Sequence, residues 1–188
     1  MAADAILALN NSTTTKTITI VDEGLTQEGI REVLDKVVAY VQNGGVAIIA
    51  GGRLSEHMSR DYAINDYKRF FDAFGLPWEK GTSFYNRCLY KFNDECTLPG
   101  GIDMRWWPRN LHLKVVNIKN AQPHDRIFIP NEDAEVERSI FAQPRVDPNL
   151  AAVTGDFVGS GYLLYVGDTH WEWESTRIVL GLLQTYRS

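Results

Sequence analysis

Two stretches decide the fold: Thr17-Ile18-Thr19-Ile20-Val21 and Val46-Ala47-Ile48-Ile49-Ala50. Both are short runs of β-branched or apolar residues. A strand with one wet face alternates apolar and polar positions, whereas a strand covered on both faces reads as a continuous run. The two runs therefore predict neighbouring parallel strands under helices. Between them, Ile30, Val33, Leu34, Val37, Val38 and Val41 recur at the spacing of one helical face. Thr26 is placed to cap that helix, with Glu28 and Glu32 near its positive end. Asn43-Gly44-Gly45 supplies the left-handed turn that stops it. Strand, helix and strand joined by short links form a βαβ unit, whose crossover is right-handed.

Further along, Asn65 to Gly75 predicts an amphipathic helix that leaves through Leu76-Pro77-Trp78. Ser83 to Phe92 predicts a strand. Leu111 to Lys119 predicts another, with Leu111, Leu113 and Val115 alternating as in an antiparallel or edge strand. Arg126 to Pro130, Ser139 to Phe141 and Ala151 to Val158 are further short strands. Gly161 to Val166 is a strong buried strand, expected beside the first two and parallel to them. Ser175 to Tyr186 is the closing helix, with Ile178, Val179, Leu182 and Leu183 on its apolar side. This order predicts the α/β class: a three-layer, doubly wound, mainly parallel sheet with an antiparallel extension. No repeat, low-complexity run or linker divides the chain. It is read as an N-terminal segment, residues 1–16, followed by one domain, residues 17–188.

The 188 residues suit a single domain with a sizeable core. A net charge of −5 gives no basic face for nucleic acid. No Lys/Arg cluster borders an amphipathic helix, so a membrane surface is not an expected partner either. Met1 to Asn10 contains an apolar run but neither a charged start nor a cleavage site. Cys88 and Cys96 are too few for a disulfide scaffold. Reduced thiols and a cytoplasmic location are the expectation.

Five segments belong together: Val21-Asp22-Glu23-Gly24-Leu25-Thr26, Tyr40-Val41-Gln42-Asn43-Gly44-Gly45, Phe74-Gly75-Leu76-Pro77-Trp78, Cys96-Thr97-Leu98-Pro99 and Tyr165-Val166-Gly167-Asp168. In their order and spacing they resemble a group of fungal class I glutamine amidotransferase-like proteins, distantly similar to trehalose-utilisation (ThuA-like) domains. The resemblance implies a flavodoxin-like fold and no defined activity. It also implies a departure, because the usual opening strand–helix unit is missing or reduced to Ile6–Leu9. A second departure follows Asp168, where Thr169-His170-Trp171-Glu172-Trp173-Glu174 replaces the group's Asn-Gly-Glu-Glu-Gly.

An amidotransferase of this kind uses a cysteine on a sharp turn after a strand, activated by histidine and a carboxylate. The run after Ala50 is Gly51-Gly52-Arg53-Leu54-Ser55, without cysteine. Ser55 and His57 are too close in sequence to be a natural nucleophile–base pair and read as a solvated loop. The carboxylates carry more. Glu23 follows one buried strand and Asp168 another, and the carboxyl ends of parallel strands share a rim where ligands bind. By the resemblance, Glu172 and Arg87 match a glutamate and an arginine of the group. Glu23, Asp168 and Glu172 are thus the candidate catalytic residues, with Arg87 holding an anionic group. Trp106, His170 and Trp171 are candidate substrate contacts, the indoles as apolar walls. The plainer alternative is that Asp168 or Ser175 caps the last helix and that Arg87 satisfies a rim loop. Asp168, His170, Glu172 and Glu174 alternate, which in an extended segment would aim them one way. A solvated loop is preferred there, and neither a metal nor a cofactor is predicted.

Two functions follow as expectations. One is a small-molecule-binding enzyme or pseudoenzyme without the amidotransferase cysteine, using rim carboxylates for acid/base chemistry as an isomerase, lyase or hydrolase does. The alternative is a non-catalytic binding or oligomeric scaffold domain. A sheet short of its opening unit exposes an edge, so a homodimer is expected in either case.

Overall fold

In a computed structural model, residues 16–21, 25, 31–50, 64–83, 87–131 and 146–186 are described. The element order is β1 (Thr17–Ile20), α1 (Arg31–Gln42), β2 (Val46–Ala50), α2 (Ile64–Ala73), β3 (Glu79–Ser83), β4 (Cys88–Phe92), β5 (Asn110–Leu113), β6 (Val116–Lys119), β7 (Arg126–Pro130), β8 (Val153–Val158), β9 (Gly161–Val166) and α3 (Trp173–Thr185). Seven strands form one sheet in the order β1-β2-β9-β8-β7-β4-β5, and β3 pairs with β6 in a second.

The deciding stretches fold as read. β1 runs parallel to β2 and β2 parallel to β9, with Thr17 level with Val46 and Val46 with Tyr162. All five residues of β2 and all six of β9 are buried. Their period of two separates two cores. Ala47, Ile49, Leu163 and Tyr165 face a cluster built from Leu34, Val37 and Val41 of α1 and Tyr67, Phe70 and Phe71 of α2. Val46, Ile48, Ala50, Leu164 and Val166 face another, built from Ile178, Val179 and Leu182 of α3. Each such aliphatic side chain contributes about 1.5–3 kcal/mol when fully buried. α1 stops where the glycines require it: Gly44 has φ +103 and its N–H bonds the carbonyl of Val41.

The α/β class holds, but the sheet is mixed rather than mainly parallel. Of its pairings, β1–β2 and β2–β9 are parallel, while β9–β8, β8–β7, β7–β4 and β4–β5 are antiparallel. A parallel pair needs a long crossover, usually a helix, whereas antiparallel neighbours need only a turn. Here β8 and β9 are joined by the two residues Gly159 and Ser160. The expected antiparallel extension is therefore more than half of the sheet.

A second correction concerns Leu111 to Lys119, expected as one strand. It divides at Lys114 and Val115. β5 stays beside β4, and β6 crosses to β3. The crossing is held by Val116 N donating to Gly167 O (2.9 Å), Thr169 N to Lys114 O (2.9 Å) and Ile118 N to Ala151 O (2.9 Å). Ser83 to Phe92 divides likewise, into β3 and β4. The Ser139 to Phe141 strand lies outside the described residues. Among the described residues no helix is long and apolar enough to cross a membrane.

Candidate functional site

The three parallel strands end at one rim, with Ile20, Ile49 and Tyr165 level in the register. The antiparallel order brings the start of β4 and the end of β5 to the same side. Arg87 immediately precedes β4, and Asp168 lies just past β9, so topology alone places both at this rim.

Asp168 is fully buried. Its Oδ1 accepts from His170 N (2.9 Å), and its Oδ2 accepts from Glu172 N and from Ser175 Oγ (2.7 Å). Glu172 is the N-cap of α3 by backbone geometry, yet its own side chain makes no cap hydrogen bond. Asp168 supplies that negative charge to the helix N-terminus instead, where it is favoured by the exposed N–H groups. A buried carboxylate is costly unless hydrogen-bonded, and here three donors offset the cost. Trp171 takes the left-handed region at φ +55, a conformation that costs a non-glycine residue of order 1–3 kcal/mol. The turn leaves the Trp171 and Trp173 indoles exposed.

The loop wound around Asp168 thus holds Glu172 outward. Its Oε1 meets Nη2 of Arg87, whose Nη1 donates to the carbonyl of His112 at 3.2 Å. The Arg87 and Glu172 side chains keep 44% and 30% of their surface in solvent. A pair so open stabilises a fold by about 0–1 kcal/mol, so stability is a weak reason for it. His170 is also exposed, with Nδ1 2.8 Å from Thr169 Oγ1.

Arg87, Asp168, His170, Trp171 and Glu172 therefore belong to one cluster. Trp106 does not. It packs beside Gly181 of α3, nine residues beyond Glu172, which is about 13 Å along a helix rising ~1.5 Å per residue. Glu23, Ser55 and His57 lie outside the described residues. The positive φ at Trp171 breaks the extended alternation on which a common aim of Asp168, His170, Glu172 and Glu174 depended. Sequence reasoning missed the carbonyl of His112 as an Arg87 partner, and a backbone acceptor on a distant strand leaves no sequence signal.

Neither thiol suits a nucleophile. Cys88 is buried in β4 and Cys96 is half-buried, both as free cysteines. Burial pushes the Cys88 thiol up and the Cys96 thiol up to about 11, so thiolate is scarce at neutral pH.

No family model matches the chain, and no curated protein matches it. Among solved structures it is similar to Gan42B, a GH42 β-galactosidase, with a TM-score of 0.44 and 16% identity over 90% of this chain. It is similar in the same way to the E323A catalytic mutant of Gan42B from G. stearothermophilus, at a TM-score of 0.43 and 16% identity. The chain spans about a fifth of the length of either, covering 21% of each. At such scores neither fold nor activity passes from that enzyme to this chain. The resemblance to class I glutamine amidotransferase-like proteins is corrected by the absence of any matching family model or curated protein of that group. The physical reason lies in the segments that carried it. Asn43-Gly44-Gly45 and Gly75-Leu76-Pro77 are helix stops, and Cys96-Thr97-Leu98-Pro99 is irregular chain following the turn that Cys96 N closes on Asn93 O. Such punctuation recurs wherever helices and strands must end.

Proposed function

We propose that the chain binds a small anionic molecule at the rim formed by Arg87 and Glu172, and acts there as an acid/base enzyme or as a pseudoenzyme derived from one. The observation that supports this is the solvent-open ion pair of Arg87 and Glu172, held from behind by a buried Asp168. Arg87 offers a planar fork suited to a carboxylate or phosphate. Glu172 offers a carboxylate that an incoming anion displaces from Arg87 and frees for proton transfer. Asp168 has no exposure and acts through Glu172 as a positioning residue. His170 and Trp171 border the same loop and supply a second proton carrier and an apolar wall. Glu23 lies outside the described residues and enters this reading from the sequence alone.

The test is a melting-temperature screen of small carboxylates and phosphate esters. A ligand that stabilises the chain and loses its effect in Arg87→Ala supports the site. Ligands that stabilise Arg87→Ala as well as the parent chain refute it. With any substrate so found, a bell-shaped pH profile that loses one limb in Glu172→Gln separates enzyme from pseudoenzyme.

The second reading is a scaffold that self-associates. It is favoured by β1, an edge strand whose outer side has no strand partner among the described residues.

A further inference from the structure

The opposite rim carries a different chemistry. His124 and Asp125 sit in the turn before β7, and Asp156 sits on β8, which runs antiparallel to it. Gly155 N donates to Asp125 O at 2.8 Å and fixes the turn against β8. One ligand atom from each of His124, Asp125 and Asp156 lies within 4.8 Å of the others.

Asp125 is only 1% exposed. Its Oδ2 is satisfied by Trp78 Nε1 at 2.9 Å and by Gln122 N at 3.0 Å. Its Oδ1 is buried and receives no hydrogen bond. His124 Nε2 stands 3.1 Å from that oxygen without hydrogen-bond alignment. A buried anionic oxygen without a donor is costly and marks a missing partner. Asp156 spends Oδ1 on Phe157 N at 2.7 Å.

We propose that His124, Asp125 and Asp156 bind a divalent transition-metal ion. Two atoms that ligate one ion at about 2.0–2.2 Å stand roughly 3–3.6 Å apart when adjacent and up to about 4.4 Å when opposed. The His124–Asp125 separation fits the adjacent case, and bringing in the half-buried Asp156 takes a shift of at most about 1.2 Å. One imidazole with two carboxylates is a donor set for zinc, iron or manganese, and the cation satisfies Oδ1 of Asp125 while cancelling the repulsion of the carboxylates. An ion pair of His124 with Asp125 is the competing account. It leaves Oδ1 without a hydrogen bond and gives Asp156 no role.

Calorimetric titration of Zn²⁺ into the chelator-stripped full chain decides between them. One saturable site per chain is expected, weakened at least tenfold in His124→Gln and in Asp156→Asn. His124 is exposed, so its variant keeps the fold and reports on ligation alone. Asp125→Asn is the wrong probe because Asp125 also anchors Trp78. No saturable binding by the parent chain, or undiminished binding by His124→Gln, overturns the site. Mg²⁺ or Ca²⁺ binding more tightly than Zn²⁺ overturns the class of metal.

Discussion

Asp168 and Glu172 stand four residues apart and carry opposite expectations. Removing Asp168 leaves the buried Ser175 hydroxyl and the N–H groups of His170 and Glu172 without their acceptor. Each lost partner of a buried group costs about 1–3 kcal/mol, so Asp168→Ala should lose about 2–4 kcal/mol in urea unfolding. Glu172→Gln breaks only an open ion pair and should stay within about 0.5 kcal/mol of the parent. A stable Asp168→Ala would place the carboxylate in chemistry instead of architecture. The thiols allow a second prediction. The Cys96 thiol rises from 9.0 to about 11 on folding, through burial. Below the unfolded value both states keep the proton, and stability is unaffected. As pH climbs from 9.0 towards about 11 the unfolded thiol ionises first, so stability falls. Tyr67, raised from 10.0 to about 12, extends the loss upward. Urea midpoints should drop across this range, and Cys96→Ser should drop less than the parent.

At the scale of elements, α3 shows how packing overrides propensity. Gly181 lies mid-helix, where Gly→Ala ordinarily gains about 1 kcal/mol. A Cβ there meets the indole of Trp107. That ring is buried in the core against Phe92 and Phe128 and has no room to give. Overpacking costs about 1–3 kcal/mol, so Gly181→Ala should lower the melting temperature, and a rise would show that the loop bearing Trp106 and Trp107 yields. Elements with a single strong period were legible in the sequence. β2, β7 and β9 match their readings at both ends, because each is a short apolar run closed by turn residues. β5 and β6 were read as one strand although the alternation shifts phase at Val115-Val116, from Leu111, Leu113 and Val115 to Val116 and Ile118, which is where the chain changes sheets. The site followed the same rule. The local loop from Asp168 to Ser175 could be read as a helix cap, whereas His124, Asp125 and Asp156 meet through antiparallel pairing that no local pattern encodes.

Among the described residues the sheet has two edges, β5 and β1. β1 is only four residues long, pairs on one side with β2, and ends beside an exposed Val21. Unpaired N–H and C=O groups along an edge recruit another strand unless charge or a bulge prevents it. β1 is Thr-Ile-Thr-Ile, with no charge. A two-fold axis beside β1 would pair it antiparallel with its copy and continue the sheet across both subunits. Four residues give too small a ladder alone, because a stable interface needs about 1,000 Å² or more. The expected dimer is therefore concentration-dependent, forming in the range of tens of micromolar by sedimentation velocity. Thr19 is the exposed residue of β1, so Thr19→Lys adds an edge charge without touching the core. It should shift the chain to monomer at unchanged melting temperature. A parent chain that stays monomeric at several hundred micromolar, or a Thr19→Lys dimer of undiminished affinity, would remove β1 as the contact.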